Sequence, residues 1–280
     1  MRKLLLVVGL TGCLGVAIAA PKAVVMDFGA LDTIDALGGS ESVVAIPKQF
    51  APEYLEKYQT DEMLSSGDMF KLDMELINNE NPDFIVISGR QGRSAAQLQS
   101  IAPVINFSAA NDDFLESAKF NIYAVGKAIE KEAEAKAAWD SLNNKIEKSA
   151  EKAKASDQTA LIIMHNDGNF WISNTSGYAT LVHDVLGVKR AETEEVGKGV
   201  QADASYLTAK NPDIVYIIDR SAAIGQTPMS QDHFKAADFA EISAVKNDKV
   251  VYLTPKLWYL SGKGLQSLDL QTDEIMKAID

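Results

Sequence analysis

Residues 81–90 read NPDFIVISGR, and residues 211–220 read NPDIVYIIDR, so the two segments align without a gap. In each copy, Asn-Pro-Asp ends a helix and the apolar run that follows predicts a buried strand. An arginine lies just past the carboxyl end of each strand, Arg90 in the first copy and Arg220 in the second. Ligands of open α/β sheets bind at the carboxyl ends of the strands. The repeat therefore predicts two lobes that each present an arginine to a shared cleft.

Short apolar runs alternate with helical patterns on both sides of this repeat. The predicted strands are Ala23–Met26, Val43–Ile46, Phe84–Ile87, Val104–Ile105, Ala160–Met164, Ile214–Ile218 and Val250–Leu253. Such alternation is typical of parallel sheets that carry helices on both faces. We therefore expect an α/β protein with two Rossmann-like lobes.

A long helical pattern separates the two halves. Residues 129–154 are dense in Ala, Glu and Lys, which are strong helix formers. A helix of this length spans about 39 Å, enough to bridge two lobes, although a surface helix of one domain would give the same pattern. The expected organisation is an N-terminal lobe at 20–128, a linking helix at 129–155 and a C-terminal lobe at 156–280.

The N-terminus has the composition of an export signal. Two basic residues precede the uncharged run Leu4–Ile18, and Ala17–Ala19 fits a small-x-small cleavage site. We therefore expect a signal peptide at residues 1–19 and a periplasmic protein. Leu10–Cys13 also matches a lipobox, so lipid anchoring at Cys13 is the alternative. Because Cys13 is the only cysteine in the chain, no disulfide is expected in the mature protein.

The overall charge excludes one class of partner. The 280-residue chain carries a formal net charge of −12 at pH 7, whereas nucleic-acid binding requires clustered Lys and Arg. We therefore expect no nucleic-acid partner. Cations that converge in a cleft of such an acidic protein require a local reason, such as an anionic ligand.

Three arginines are candidates for that role. Arg90 and Arg93 flank a short glycine-containing segment, and Arg220 follows the second copy of the repeat. Their guanidinium groups can bind an anion through charge-assisted hydrogen bonds. The alternative is that each pairs with a nearby acid, and for Arg220 that acid would be Asp219.

Two aromatic residues, Trp258 and Tyr259, lie in a segment that we expect to be a loop, Lys256–Gly264. Aromatic faces suit flat ligands, and a tyrosine phenolate is a hard oxygen ligand for Fe(III). Trp258 by itself is also consistent with a core residue.

The sequence gives little support for catalysis or for a zinc site. Its histidines include His165, at the end of a predicted strand, and His183, in an apolar helix where a structural role is the simpler interpretation. It contains no HExxH, G-x-S-x-G, P-loop or dinucleotide-binding motif. We therefore expect a binding protein rather than an enzyme, with no catalytic residues and no cofactor.

Four segments together resemble the siderophore-binding proteins of bacterial ABC importers. They are residues 25–38, 87–91, 182–187 and 258–262, which read VMDFGALDTIDALG, ISGRQ, VHDVLG and WYLSG. The resemblance is greatest to the branch that binds catecholate siderophores such as petrobactin and enterobactin. It implies a class III periplasmic binding protein, with two α/β lobes joined by one long helix.

The resemblance also implies a ligand and a partner. The ligand would be a ferric catecholate siderophore held in the interlobe cleft, with haem or cobalamin as the alternatives. The partner would be the permease of an inner-membrane ABC transporter, and we expect the protein itself to be a monomer.

Residue by residue, the resemblance assigns part of the cleft. Arg90 and Arg220 match family arginines that contact the ferric complex, and Arg93 falls where a relative has a basic residue. Tyr259 matches a tyrosine that can coordinate iron when the siderophore leaves coordination sites open. Together with Tyr178 and Trp258, these residues form the expected siderophore site.

This sequence also departs from the family pattern. Tyr178 falls where relatives have an arginine, which lowers the charge of the cleft by one. Relatives that coordinate iron carry a histidine in the loop that matches residues 195–201, whereas here Lys198 offers only charge. For docking to the permease, which uses one surface acid per lobe in this family, the candidates are Glu75 and Asp203.

Overall fold

The structure is a computed structural model that describes residues 19–108, 113–175, 177–194, 196–197 and 199–279. Residues 1–18 of the predicted signal peptide, with Cys13, lie outside the described residues, and so does Lys198. Within the described ranges, no helix combines the length and the apolar character needed to cross a membrane.

The first lobe contains a parallel sheet of five strands. They are β1 (Ala23–Val25), β2 (Val43–Ile46), β3 (Leu64–Ser65), β4 (Phe84–Ile87) and β5 (Val104–Asn106). Their order is β3-β2-β1-β4-β5. The helices of this lobe are α1 (Phe28–Ala36), α2 (Met74–Asn79) and α3 (Ala95–Gln99), with 3₁₀ turns at Ser40–Ser42, Glu53–Tyr58 and Gly89–Ser94.

Both faces of this sheet are covered. Val25 packs with α1 in one core, whereas its neighbour Val24 packs on the opposite face with Ile77 of α2 and Leu98 of α3. Strands buried on both faces need apolar residues at every position rather than at alternate ones. This explains the continuous apolar runs in the sequence.

Two consecutive helices, α4 (Phe114–Ala128) and α5 (Glu132–Ala155), lead from the first lobe to the second. The linking helix α5 therefore begins three residues later than the sequence predicts, because Glu130 adopts a left-handed φ of 59° that interrupts the helix. Gly126 of α4 lets the two helices pack closely, since a methyl group there would lie 2.5 Å from Cβ of Ala135.

The second lobe contains a mixed sheet. Its strands are β6 (Thr159–Asn166), β7 (Asn169–Ile172), β8 (Lys189–Arg190), β9 (Ile214–Asp219) and β10 (Val250–Leu253). The order is β10-β9-β6-β7, with β8 paired to β6, and β7 runs antiparallel to β6. The helices are α6 (Gly177–Ala179, continued by a π-helical turn at Thr180–Val185), α7 (Ala204–Lys210), α8 (Arg220–Ala223), α9 (Ser243–Lys246), α10 (Pro255–Leu260) and α11 (Leu265–Met276). This is the predicted fold class, two α/β lobes joined by a long helix.

The C-terminal helix α11 connects the lobes a second time. Asp32 of α1 is buried, and its carboxylate accepts hydrogen bonds from the backbone N–H groups of Gln266 and Ser267 at 3.0 and 3.1 Å and from the Tyr54 hydroxyl at 3.0 Å. On the other side, Lys145 of α5 pairs with acids of α11. Helix α11 is thus held between the first lobe and the linking helix.

The two copies of the Asn-Pro-Asp repeat perform the same structural role. Asn81 and Asn211 follow α2 and α7 with left-handed φ angles of 48° and 43°, a common helix ending. The aspartate of each repeat then forms a hydrogen bond to the start of the first strand of its lobe. Asp83 accepts from Lys22 N–H at 2.7 Å, and Asp213 accepts from Thr159 N–H at 2.9 Å. Both arginines therefore follow equivalent strands, β4 and β9, at their carboxyl ends.

Candidate ligand-binding site

A pocket of about 290 Å³ lies between the lobes at the carboxyl ends of β4 and β9. Residues of both lobes line it. Those of the first lobe are Gln49, Phe50, Asp68, Met69, Phe70, Lys71 and Arg90, and those of the second are Arg220, Ile224, Tyr259 and Leu260. The pocket therefore combines cations with apolar walls.

Arg90 and Arg220 approach Tyr259 from different lobes. Arg90 Nη2 donates to the Tyr259 carbonyl oxygen at 2.8 Å, and Arg220 Nε donates to the Tyr259 hydroxyl oxygen at 2.7 Å. Both guanidinium carbons also lie near the Tyr259 ring, 5.7 and 5.3 Å from its centroid, which is cation–π distance. The two cations predicted from the repeat thus meet at one tyrosine.

The position of Arg90 is set by a capped turn. The Ser88 hydroxyl oxygen accepts from Arg90 N–H at 3.1 Å, and the Gln91 side-chain oxygen accepts from Ser88 N–H at 2.9 Å. Gln91 is buried, and its side-chain amide donates to the Met69 carbonyl at 2.8 Å. The turn that carries Arg90 is therefore fixed to the neighbouring loop of the first lobe.

Arg220 does not pair with Asp219, so that alternative from the sequence is wrong. Asp219 instead caps α8 by accepting from Ala222 N–H at 3.0 Å and lies 2.8 Å from Nδ1 of His165. Arg220 Nη1 donates to the Asn166 side-chain oxygen at the end of β6. Among the described residues, no carboxylate forms an ion pair with Arg90 or Arg220.

Tyr259 lies on helix α10 and not in a loop, which corrects the sequence expectation. Pro255 occupies the first turn of α10, where proline is well tolerated because its missing N–H has no helical partner there. The preceding residue, Trp258, is only 1% exposed, and its indole N–H donates to Glu274 at 2.7 Å. Trp258 is therefore a core residue that does not line the interlobe pocket, so the structure does not bring it together with Arg90 and Arg220.

Tyr178 lies close to the arginine pair but lines a second cavity of about 120 Å³, together with Trp258 and Lys263. Its ring centroid is 6.3 Å from that of Trp258. Burial and the neighbouring Tyr259 raise the pKa of Tyr178 to about 12, although the charge of Arg90 opposes this shift. Tyr178 therefore stays neutral at the position where the family resemblance implies a positively charged arginine.

Arg93 is not brought together with the other two arginines. It lies on the exposed side of the turn Gly89–Ser94 and does not line the described pocket. Asp27, which caps α1 below Arg90, is fully buried, and burial raises its pKa to about 6 against the opposing effects of the Ala30 N–H and of Arg90. Of the three arginines predicted for the site, only Arg90 and Arg220 line the pocket.

Sequence reasoning missed most of the pocket lining, including three large side chains. Phe50 and Phe70 form part of its apolar wall, and Lys71 adds a cation to its lining. All three come from connections between strands, where no periodic pattern marks a side chain as facing a cleft. The one available signal is that two large aromatic residues occur in segments rich in turn-forming and polar residues.

The candidate docking acids occupy different structural positions. Glu75 is exposed in the first turn of α2, whereas Asp203 precedes α7 and caps it by accepting from Tyr206 N–H at 2.8 Å. The structural equivalent of Asp203 in the first lobe is Asp73, which caps α2 at 3.0 Å in the same way. Asp203 is nevertheless exposed and remains accessible to a partner.

Two of the three histidines, His165 and His183, are buried and hydrogen-bonded within the second lobe. His183 Nδ1 lies 2.8 Å from the Val188 carbonyl, and burial lowers the pKa of His183 to about 4. His165 is buried, and its Nε2 accepts from Gly168 N–H at 3.0 Å. Within the described residues, no three His, Cys, Asp or Glu side chains are grouped so that they could hold a metal ion.

The fold and the pocket define a class of protein. It is a two-lobed binding protein in which a helical connection holds the lobes and a cationic cleft lies between them. The chain belongs to the periplasmic binding protein family, whose model matches residues 24–257.

Similar proteins agree with this assignment. The chain is 33% identical over 261 residues to the petrobactin-binding protein YclQ of Bacillus subtilis (strain 168), covering 92% of this chain and 82% of that protein. The crystal structure of the B. subtilis petrobactin-binding protein matches with a TM-score of 0.87 over 93% of this chain and 92% of that one, at 33% identity. An iron uptake ABC transporter substrate-binding protein, PiuA of Streptococcus pneumoniae, matches with a TM-score of 0.84 at 34% identity, covering 93% of each chain. These matches confirm the prediction of a substrate-binding transport protein rather than an enzyme.

Proposed function

We propose that this protein captures a ferric catecholate siderophore in the interlobe pocket and delivers it to an ABC importer. The observation that carries the proposal is the meeting of Arg90 and Arg220 at Tyr259. Two guanidinium groups from different lobes lie beside one ring without an ion-paired carboxylate among the described residues. An anionic ligand supplies the ion-pair partner that these two guanidinium groups lack.

The chemistry of the pocket fits this ligand class. A ferric tris-catecholate is a compact trianion whose oxygen atoms surround the metal and whose aromatic rings point outward. Arg90, Arg220 and Lys71 can bind the oxygen atoms, while Phe50 and Phe70 offer apolar surface to the rings. The siderophore names of the relatives support the same class. Iron enters as cargo inside its chelator, so the protein needs no resident cofactor.

Tyr259 has a second proposed role. Its hydroxyl oxygen already accepts a hydrogen bond from Arg220 Nε at 2.7 Å, and Tyr259 lines the interlobe pocket. When a siderophore leaves coordination positions open, this oxygen can bind Fe(III) directly as a hard ligand. With a siderophore that fills the coordination sphere, Tyr259 contributes hydrogen bonding and ring contact only.

Delivery requires contact with a permease, which we assign to one exposed acid on each lobe, Glu75 and Asp203. We further propose that the protein acts as a monomer outside the cytoplasm, after removal of residues 1–19 or, alternatively, anchored at Cys13. The two acids lie in α2 and next to α7, which are equivalent helices of the two lobes.

A fluorescence titration tests the ligand class. The chain contains three tryptophans, whose emission a coloured ferric complex quenches on binding. The panel consists of a ferric tris-catecholate, a ferric trihydroxamate, haem and cobalamin. Quenching by the tris-catecholate at low concentration is expected, and quenching by haem or cobalamin alone would overturn the assignment.

Arginine variants test the site. Truncating one partner of a desolvated charge pair typically costs ~2–5 kcal/mol, so Arg90→Ala and Arg220→Ala should each weaken tris-catecholate binding by about 30-fold or more. Arg93→Ala removes the same charge from an exposed position outside the pocket and should cost less than about threefold. If all three variants bind like the wild type, Arg90 and Arg220 are structural residues.

A further inference from the structure

Phe70 stands out among the large apolar side chains that the structure describes. It is 78% exposed, although its neighbour Met69 is buried in the core. It also lines the interlobe pocket together with Arg90, Arg220 and Tyr259. An aromatic side chain held in water at the mouth of a binding pocket is a candidate ligand contact.

The loop that carries Phe70 is well fixed. The Asp68 carboxylate accepts from the backbone N–H groups of Phe70 and Lys71 at 2.7 and 2.6 Å, and Asp68 N–H donates to the Lys71 carbonyl at 3.0 Å. The same loop is bonded to the Arg90 turn, because Gln91 donates to the Met69 carbonyl. The exposure of Phe70 therefore follows from a defined backbone that is joined to the turn carrying Arg90.

We propose that Phe70 determines specificity by stacking on a catecholate ring of the ligand whose oxygen atoms Arg90 and Arg220 bind. This inference rests on the proposed function and adds how the pocket selects among iron chelates. A phenyl ring cannot neutralise charge, so it favours only those anionic complexes that present flat aromatic faces. Arginine alone would accept any anionic chelate of suitable size, and Phe70 supplies the selection for aromatic ones.

Three variants test the inference by titration with a ferric tris-catecholate. Phe70→Ala should weaken binding about tenfold, or ~1.4 kcal/mol, at the upper end of the range for aromatic pairs. Phe70→Trp should keep affinity within about twofold, because it retains a ring. Phe120→Ala is the matched control, since Phe120 of α4 is also exposed, at 63%, but does not line the pocket.

A thermal melt separates stacking from a role in folding. Substitutions at exposed positions usually change stability by less than about 0.5 kcal/mol, so Phe70→Ala should melt close to the wild type. The inference is overturned if Phe70→Ala binds within about twofold of the wild type, if Phe70→Trp loses as much affinity as Phe70→Ala, or if Phe70→Ala is strongly destabilised. If the wild type fails to bind the tris-catecholate at all, the proposed function itself is refuted; wild-type binding with an unaffected Phe70→Ala refutes only the stacking role.

Discussion

Replacement of Gly225 by alanine is expected to disturb the spacing of the two lobes. Gly225 follows α8 with a φ of +71°, and a methyl group added there would lie 2.7 Å from Cε1 of Phe50, a residue of the first lobe. Carbon atoms pack best at about 3.5–4.0 Å. The Phe50 ring, which forms part of the pocket wall, must therefore move by about 1 Å to make room.

Two costs contribute, and a second glycine separates them. A left-handed backbone costs a non-glycine residue roughly 1–2 kcal/mol, and overpacking typically adds about 1–3 kcal/mol. Gly38 follows α1 in the same way, with a φ of +70°, but a methyl group there would have no atom within 4 Å. Gly38→Ala should therefore lose only the first amount, whereas Gly225→Ala should lose about 2–5 kcal/mol.

Urea unfolding gives the free energy of unfolding of each variant, and titration with a ferric tris-catecholate gives its affinity. Gly225→Ala should also weaken binding, while Gly38→Ala should not. The double variant Phe50→Ala/Gly225→Ala tests the contact itself, because removal of the ring should recover the overpacking cost as a coupling energy. Equal losses of stability at Gly38 and Gly225, or no coupling between positions 50 and 225, would refute the reasoning.

Three further predictions concern iron, docking and pH. Tyr259→Phe should change the affinity for a hexadentate ferric catecholate little but weaken binding of a tetradentate one at least about tenfold. It should also abolish the tyrosinate-to-iron charge-transfer band of the tetradentate complex. Equal affinities and an intact band would exclude direct coordination. Glu75→Lys should keep ligand affinity and impair uptake by cells, whereas a matching loss of affinity would place Glu75 in the ligand site. Glu192→Gln should lower the free energy of unfolding at pH 7 by ~1–3 kcal/mol. Burial of Glu192 opposes its ionisation, but three partners outweigh this effect and lower the pKa of Glu192 to about 2. These partners are Lys210 at 2.8 Å, the Tyr206 hydroxyl at 2.6 Å and the Glu194 N–H. Because a depressed pKa stabilises the fold only where the unfolded state is also ionised, the difference should be constant above about pH 4.5 and shrink as the pH falls towards 2; a difference that persists at pH 2 would contradict this role.

Much of the fold could be predicted from local sequence because each signal had a local cause. The Asn-Pro-Asp repeat supplies a left-handed helix ending at Asn81 and Asn211, and the carboxylate that ties the adjacent strand lies two residues further on. Both arginines lie just past the carboxyl ends of the strands that follow the repeat. The prediction of two converging cations therefore needed only the repeat and the geometry of parallel sheets.

The errors arose where partners are distant in the chain. The sequence analysis predicts a loop after β10, although Pro255 at the start of this segment is also a helix signal. Trp258 becomes a core residue only because α11 brings Glu274 to its indole. Phe50 and Phe70 likewise become pocket residues only because the second lobe lies opposite them, and no local pattern in the sequence predicts that arrangement.

The hydrogen bonds of the two arginines explain how an acidic protein can hold them so close together. An ion-paired carboxylate would neutralise each guanidinium group and would then have to be displaced by every anionic ligand. Tyr259 and Asn166 instead offer neutral oxygen atoms, so both side chains are oriented while their charge remains uncompensated by an ion pair among the described residues. A guanidinium group that binds an anion gains the attraction between opposite charges in addition to the hydrogen bond, so an exchange of these neutral oxygen atoms for those of the proposed ferric complex is favourable. Because Arg90 and Arg220 belong to different lobes, that exchange also bonds one ligand to both lobes at once.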